Sequence, residues 1–374
     1  MRIAIVYDYL TQFGGGERVL SVLMDMFPEA PVYTLVHDRN ITEGRIDAFR
    51  IKTSFLQNIP LARSRHRLFP VLMPILIEQF DLSKYDLVIS ASHSFGKGVI
   101  TGPNTLHISY CFTPMRYVWD DSHRYVREFT VPFWLRSLIP FPLTYVRLWD
   151  SFAADRVDTF VAISNFVARR IKKYYQRDAE VVYPPVDCEL YAIANVVSDR
   201  FLVVSRLMSY KRIDLAIEAF NRLGLPLDIV GTGPEEEKLK KIASPNIKFH
   251  GFLSDEKVKK MFSECRAFVF PQEEDFGLTI LETAASGRPV IAFAGGGALE
   301  TVDSGITGIF FAEQTVDSLC EAIQKLENIK IDSNEIRRKA LQFSTERFKV
   351  NFMEMINREW ARFPRKRVHD KVLI

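Results

Sequence analysis

Short, almost wholly apolar segments alternate with longer segments of helical periodicity along the first half of the chain. The apolar segments read RIAIVYD, YDLVISAS, TLHISYC, DTFVAIS and AEVVYPP. Unbroken runs rich in valine and isoleucine are typical of strands buried on both faces of a parallel sheet, whereas half-exposed strands alternate. The first half is therefore predicted to be a doubly wound α/β domain.

The same alternation restarts after Tyr183-Pro184-Pro185, with RFLVVSR, LPLDIVG, IKFHGF, RAFVFP and RPVIAFA. Because a proline pair interrupts both helices and strands, we expect a linker at residues 183–190. The chain is predicted to form an N-terminal Rossmann-like domain over 1–185 and a C-terminal one over 186–345. The closing segment, about 346–374, is expected to form a helix packed on the first domain, since its apolar residues have helical spacing: Phe348, Phe352, Met355, Ile356 and Trp360.

Length and charge are consistent with this division and exclude some partners. A chain of 374 residues with 47% hydrophobic residues suits two domains, and 49 Lys plus Arg against 46 Asp plus Glu argue against a nucleic-acid partner. The 4 cysteines lack the paired spacing of a zinc site or a disulfide framework, which favours a reducing compartment. The apolar run of MRIAIVYDYL is too short for a signal peptide, so we expect a cytoplasmic protein without a membrane span.

Two loops that follow predicted strands carry glycines or cations. Ligands of open α/β sheets bind beyond the carboxyl ends of the strands. Gly14-Gly15-Gly16 opens a helix after the first strand, and this loop is either a diphosphate cradle or only a tight turn. Arg206 and Lys211 follow the first strand of the second domain, where two cations can neutralise a departing diphosphate.

Two glutamates follow a later strand of the second domain. Glu274 is predicted in a loop and Glu282 in the next helix, with Gly277 and the first helical amides between them. This order lets one carboxylate accept from sugar hydroxyls and the other from ribose hydroxyls, while backbone N–H groups hold phosphates. The alternative, that acidic residues here only favour the helix N-terminus, suits Asp275 better than Glu282, whose neighbours are apolar.

Arg206, Lys211, Glu274 and Glu282, in this order and with the N-terminal glycine loop, resemble retaining glycosyltransferase family 4. The resemblance covers almost the whole chain and implies the GT-B fold, two Rossmann-like domains facing a central cleft. It also implies retention of the anomeric configuration without a metal ion. The implied catalytic residues are Arg206 and Lys211 on the donor diphosphate and Glu274 on the transferred sugar. The implied donor-binding set is Gly14, Gly15, Gly16, Gly251, Phe252, Leu253, Phe276, Gly277, Leu278, Thr279 and Glu282.

A narrower resemblance lies in Ser92-His93 and in the segment Tyr110–Asp120. Both are similar to bacterial O-antigen and exopolysaccharide mannosyltransferases, which usually carry a donor-contacting histidine where this chain has Phe112. A phenyl ring cannot make that hydrogen bond. The sugar and acceptor candidates are therefore His93, Phe112 and Arg116, whereas His107, inside an apolar strand, is expected to be a core residue. GDP-mannose is the favoured donor; a UDP-sugar donor, or a nucleotide-sugar-binding protein with reduced catalysis, is the alternative.

The acceptor side is suggested by basic and aromatic segments of the first domain. Residues 59–77 contain arginines and no acid, and a second segment is rich in aromatic residues. Such segments suit a glycan acceptor carried on a lipid diphosphate, with peripheral association at the inner face of the cytoplasmic membrane. The alternative is core helices with an arginine-rich exposed face. The residues concerned are Arg63, Arg65, Arg67, Phe129, Phe133, Trp134, Phe141 and Trp149.

Overall fold

The computed structural model describes residues 1–42, 44–59, 69–120, 122, 138–328 and 331–364. The chain divides into two compact units. Unit one is Met1–Tyr183 together with the chain from Lys349 onward, and unit two is Pro184–Phe348. The first boundary falls inside the Tyr-Pro-Pro sequence. The arginines at 63, 65 and 67 and the aromatic residues at 129, 133 and 134 lie outside the described residues.

Unit one is built on a 7-stranded sheet whose described strand pairs are all parallel. The strand order is β3-β2-β1-β4-β5-β6-β7. The strands are β1 Ile3–Tyr7, β2 Val32–Thr34, β3 Ile51–Thr53, β4 Leu87–Ser92, β5 Leu106–Cys111, β6 Thr159–Ala162 and β7 Ala179–Val181. The helices are α1 Gly15–Met26, α2 Arg39–Thr42, α3 Met73–Glu78, α4 Pro140–Asp155 and α5 Asn165–Tyr175.

The central strands of unit one are buried along their whole length. Every residue of β4 and β5 is buried, as the apolar runs predict for strands covered on both faces. The strand order reverses between β1 and β4, which pair directly through Ile5 and Ile89. Loops that leave these two strands diverge to opposite faces of the sheet, so this position is the topological switch point, where doubly wound sheets bind ligands.

Unit two is built on a 6-stranded parallel sheet of order β10-β9-β8-β11-β12-β13. Its switch point lies between β8 and β11. The strands are β8 Phe201–Val204, β9 Leu227–Val230, β10 Ile247–Phe249, β11 Phe268–Phe270, β12 Val290–Phe293 and β13 Gly308–Phe311. The helices are α6 Ile213–Leu223, α7 Glu236–Ile242, α8 Asp255–Glu264, α9 Leu278–Ala285, α10 Ala298–Thr301, α11 Val316–Leu326 and α12 Ser333–Ala340.

The last helix, α13, spans Thr345–Arg362. Its apolar stripe is buried, and the Phe352 ring packs edge-on against Tyr110 of β5, with 5.5 Å between centroids. Thr159 of β6 donates a 3.1 Å hydrogen bond to the Glu359 carboxylate. The described part of the C-terminal segment is thus a helix with contacts to β5 and β6 of unit one.

The hydrophobic pattern does not predict three of the strands that the structure describes: β2, β3 and β13. β2 and β3 have three residues each, and Lys52 in the middle of β3 is exposed. β3 therefore lacks the unbroken apolar run that is typical of strands buried on both faces. Pairing decides their place in the sheets: β2 pairs with β1, β3 with β2 and β13 with β12.

The four cysteines are buried and unbridged. Within the described ranges, no helix is long and apolar enough to cross a bilayer. The same part of the chain contains no group of three or more histidine, cysteine, aspartate or glutamate side chains arranged to hold a metal ion.

Candidate functional site

An ion pair spans the switch point of unit two. Lys211 closes a single turn, Ser209–Lys211, after β8, and Glu274 lies in the loop after β11. The Lys211 ammonium contacts the Glu274 carboxylate, and the two side chains are 13% and 27% exposed. Because these charges are partly shielded from water, they interact more strongly with each other, and with a third charge, than surface charges do. Two of the predicted catalytic residues thus lie in contact at the edge of the sheet where β8 and β11 end.

Glycines allow the loop that carries Lys211 to pack closely against the loop that follows β9. The Leu207 N–H donates to the Thr232 carbonyl over 3.0 Å. A Cβ atom on Gly233 would lie 2.7 Å from the carbonyl carbon of Leu207, which no side chain allows. Gly231-Thr232-Gly233 therefore serves backbone packing. Arg206 lies exposed on the same loop, one residue before Leu207.

A second glycine loop supports Glu274 from the neighbouring strand β12. The Gly297 N–H donates a 2.8 Å hydrogen bond to the Glu274 carbonyl. Gly296 has φ of 61°, and a Cβ atom there would lie 3.0 Å from the Glu274 nitrogen. Residues 295–297 thus have a structural role, which is to position the loop that holds the carboxylate.

Helix α9 begins directly after the Glu274 loop. Gly277 precedes it with φ of 92°, a conformation that strongly favours glycine. The first amides of a helix have no intrahelical acceptor, so those of Leu278 and Thr279 are suited to bind an anion. Glu282, one turn further along α9, is only 7% exposed. This low exposure agrees with the apolar residues that surround Glu282 in the sequence.

Phe252 and Phe276, both predicted in the donor-binding set, differ sharply in exposure. Phe252 follows Gly251, whose φ is 65°, and its side chain is 82% exposed, which leaves a ring face open for stacking. Phe276 is 3% exposed and packs against Phe343 with 5.9 Å between ring centroids. Only the backbone of Phe276 is therefore placed to reach a ligand.

In unit one the switch point is also spanned by an ionisable pair, Asp8 and His93. Asp8 follows β1 and is fully buried, and its Oδ2 lies 3.1 Å from Nδ1 of His93, which follows β4. Three more groups, at the end of β4 and in the loop after it, donate to the carboxylate: Ser92 Oγ at 2.9 Å, His93 N at 2.8 Å and Gly96 N at 2.6 Å. Sequence reasoning missed Asp8, although its place directly after the first strand was a signal.

The N-terminal glycine loop is a tight turn with a defined packing role. The Gly14 N–H donates to Glu17 Oε2 over 2.9 Å, and a Cβ atom on Gly16 would lie 2.6 Å from the Tyr7 hydroxyl. Burial raises the pKa of Tyr7 well above its usual value, and the Glu17 carboxylate raises it further. The amides of Gly15 and Gly16 open α1 and remain the candidates for an anion, whereas the Gly14 amide is used internally.

Phe112 and His93 lie side by side at the ends of adjacent strands. The Phe112 N–H donates to the Ser92 carbonyl over 2.9 Å. The Phe112 ring is half-buried and packs edge-on against Tyr7 at 6.3 Å and Tyr110 at 5.6 Å. Arg116, also half-buried, lies in the turn that follows. His107 is fully buried, with Nε2 2.9 Å from Ser90 Oγ, so its prediction as a core residue is confirmed.

A buried charged network lies behind this loop in unit one. Lys97 and Asp150 are 3% and 0% exposed and form an ion pair. Asp150 Oδ2 also accepts from Trp119 Nε1 and from the Tyr175 hydroxyl, each over 2.8 Å, and Lys97 donates to the Ser94 carbonyl over 3.0 Å. The network thereby links the His93 loop to helices α4 and α5. No local pattern in the sequence joins residues so far apart.

Known proteins with this architecture share the GT-B fold. The structure superposes on the Anabaena protein HepE in its complex with UDP with a TM-score of 0.72, 17% identity and coverage of 96% of this chain and all of the other. Both units of this chain are built on parallel α/β sheets, and the chain has the GT-B fold.

Residues 195–343, which contain the Lys211–Glu274 pair and Glu282, match the family Glycosyl transferases group 1. The chain therefore contains a domain of that family.

Two curated relatives match part of the chain. O-antigen chain mannosyltransferase C of Escherichia coli is 32% identical over an alignment of 230 residues that covers 56% of this chain and 61% of the relative. A GDP-mannose-dependent alpha-(1-6)-phosphatidylinositol monomannoside mannosyltransferase of Mycobacterium tuberculosis is 28% identical over an alignment of 204 residues that covers 46% of this chain and 53% of the relative. The chain thus spans between half and two thirds of the length of these relatives.

Proposed function

We propose that the chain is a glycosyltransferase that moves a hexose, with mannose favoured, from a nucleotide diphosphate sugar to a glycan acceptor. The observation that carries the proposal is the Lys211–Glu274 ion pair at the switch point of unit two. Helix α9 begins beside it, Glu282 follows one turn later, and the whole arrangement lies within the glycosyltransferase group 1 domain.

In this proposal both members of the ion pair, Lys211 and Glu274, bind the donor substrate. A donor diphosphate that binds at the start of α9 takes the Lys211 ammonium as its partner, together with Arg206. Glu274 then accepts hydrogen bonds from hydroxyls of the transferred sugar, and Glu282 accepts from the ribose. Negative charge grows on the diphosphate as the glycosidic bond breaks, so the two cations bind the transition state more strongly than the ground state.

The proposed reaction retains the anomeric configuration and needs no metal ion. The acceptor oxygen bonds to the anomeric carbon on the face from which the diphosphate departs, and the acceptor proton passes to the departing diphosphate. No protein nucleophile is required. Arg206 and Lys211 supply the positive charge that a divalent ion supplies in other glycosyltransferases, which supports a metal-independent mechanism.

GDP-mannose is the donor we favour. The two curated relatives are named as mannosyltransferases, one of them GDP-mannose-dependent. The acceptor we propose is a glycan, free or carried on a lipid diphosphate, met at the cytoplasmic face of a membrane. Exposed apolar side chains on α3 and α4 support contact with a bilayer: Ile75 is 51%, Phe141 72% and Phe152 68% exposed.

The test is a transfer assay with the full chain, a panel of donors including GDP-mannose and UDP-glucose, and oligosaccharide acceptors. We expect transfer from GDP-mannose that survives EDTA, with an α-linked product in the NMR spectrum because GDP-mannose is α-linked. Transfer from UDP-glucose alone would favour the UDP-sugar alternative. Inversion of configuration, or loss of activity on chelation with recovery in magnesium or manganese, would refute the mechanism.

A second candidate is a nucleotide-sugar-binding protein with reduced catalysis, and Phe112 is the observation that favours it. A ring that cannot hydrogen-bond stands where similar mannosyltransferases usually have histidine. The two candidates separate in the same assay, because a binding protein would be stabilised thermally by a nucleotide sugar yet form no product with any acceptor.

A further inference from the structure

The Asp8 carboxylate accepts hydrogen bonds from the end of β4 and from the loop that carries His93. An ionised carboxylate only accepts, at about four lone-pair positions. Ser92 Oγ, His93 N, Gly96 N and His93 Nδ1 are four donors at 2.6 to 3.1 Å. Burial of a charge is costly, and here the donors that offset it come from the last residue of β4 and from the loop that follows it. Asp8 therefore fixes both the backbone of this loop and the ring of His93.

These contacts decide which nitrogen of His93 carries the proton. Since the carboxylate cannot donate, Nδ1 must be the donor, and in a neutral ring Nε2 then carries the lone pair. Nε2 lies 3.2 Å from the Tyr9 hydroxyl, which accordingly donates to it. The imidazole is 30% exposed, whereas Asp8 is 0% exposed. The buried carboxylate thus holds one edge of the ring, and the ring presents an acceptor on its other edge.

Nε2 of His93 is a hydrogen-bond acceptor at the end of β4, whereas the side chain at the end of the neighbouring strand β5 has none. Phe112, at the end of β5, is joined to Ser92 by a backbone hydrogen bond of 2.9 Å and presents a phenyl ring. Gly16, on the far side of that ring, would place a Cβ atom 3.6 Å from Phe112 Cε2. The edge of the sheet between β1 and β5 is therefore apolar at Phe112 and polar at His93.

We propose that His93 binds substrate through Nε2, which accepts a hydrogen bond from a sugar hydroxyl, and that Asp8 is the positioning residue that sets this tautomer. The Tyr9 hydroxyl marks the place that the sugar hydroxyl takes. The proposal rests on the proposed glycosyltransferase function and adds a sugar contact in unit one. Hydroxyls of the donor hexose and of the acceptor glycan share this chemistry, and the kinetic measurements below distinguish them.

The first experiment is a matched pair of substitutions, His93→Asn and His93→Gln. An asparagine amide keeps the hydrogen bond to Asp8 but ends short of the Nε2 position, whereas a glutamine can place its amide oxygen there. We expect kcat/KM to fall on the order of 10- to 100-fold in His93→Asn and only a few-fold in His93→Gln. A rise in KM for GDP-mannose assigns the hydroxyl to the donor, and a rise in KM for the oligosaccharide assigns it to the acceptor.

The second experiment reads the tautomer directly. Nitrogen NMR spectra of the full chain with isotopically labelled histidine should show the His93 signal, assigned by its loss in His93→Gln, as the Nδ1–H form. Asp8→Asn should shift this signal toward the Nε2–H form and lower kcat/KM by about the same factor as His93→Asn, with no further loss in the double variant. If Asp8→Asn fails to fold, the wild-type spectrum still tests the tautomer of His93, and the variants His93→Asn and His93→Gln still test its contact with the sugar.

Distinct outcomes overturn the two proposals. Sugar transfer by the wild type with equal activity in His93→Asn would reject the role of His93 and leave the glycosyltransferase function intact. A wild-type spectrum of the Nε2–H form would reject the role of Asp8. Absence of transfer from every donor would reject the proposed function and this inference together.

Discussion

Replacement of Lys97 by methionine should destabilise unit one strongly. Lys97 and Asp150 are 3% and 0% exposed, so the substitution leaves a carboxylate buried without its counter-ion. Trp119 and Tyr175 still donate to Asp150, each over 2.8 Å, and offset part of the charge. Removal of one partner of a buried ion pair costs about 3–5 kcal/mol, because the remaining charge has lost its compensation. For a unit of this size the loss corresponds to a fall in Tm of roughly 10 °C.

Tryptophan fluorescence is a selective measurement for this prediction. The sequence of unit two, Pro184–Phe348, contains no tryptophan, so the signal during heating or denaturant unfolding reports on unit one. The matched control is Lys172→Met. Lys172 also pairs with an aspartate of unit one, but the two side chains are 56% and 90% exposed, and such pairs contribute little.

A double variant tests the stated cause. In Lys97→Met with Asp150→Asn, both charges are gone and the asparagine oxygen still accepts from Trp119 and Tyr175. We expect this variant to be more stable than Lys97→Met alone by about 2 kcal/mol, since no uncompensated charge remains. If Lys97→Met behaved like the Lys172→Met control, or if the two substitutions simply added, the argument from buried charge would be wrong.

Three further predictions concern catalysis, donor contact and pH. Lys211→Ala and Arg206→Ala should each lower kcat on the order of 100-fold while nucleotide binding weakens less, because the diphosphate charge grows toward the transition state. Phe112→His should change donor preference or turnover only modestly, as measured across the donor panel, since the proposed enzyme binds its donor sugar without that imidazole. Burial lowers the pKa of His107 to about 4 from 6.5, so the unfolded chain binds more protons between these values. The stability of unit one should therefore fall as pH drops from about 6.5 to about 4, by up to ~3 kcal/mol, and His107→Gln should flatten that dependence in fluorescence-monitored unfolding.

Each of these three has an outcome that would contradict it. Wild-type turnover in both cation variants would mean that the donor diphosphate binds elsewhere. Transfer that appears only in Phe112→His would place the wild type among nucleotide-sugar-binding proteins. An unchanged pH profile in His107→Gln would show that this imidazole is protonated equally in the folded and unfolded chain.

The architecture and half of the candidate site follow from local patterns. The buried strands β1, β4, β5 and β6 can be predicted because each contains a run of consecutive apolar residues. The proline pair predicts the linker because it interrupts both helix and strand patterns. Arg206, Lys211, Glu274 and Glu282 stand at strand exits or in the helix that follows one. Parallel sheets place all strand exits on one edge, so a correct list of strands already predicts that such residues lie on the same side of the sheet.

Hydrophobic periodicity is a property of short segments, and it was enough to predict the two α/β units and the closing helix. The position after a strand was enough to select the glutamates of unit two as candidate site residues. Contacts between segments far apart in sequence were decided only by the tertiary structure. Asp8 and His93 are 85 residues apart, and Lys97 and Asp150 are 53 apart. Polar side chains such as these carry no periodicity of their own, and their burial is tolerated only because strand order brings their partners within hydrogen-bonding distance.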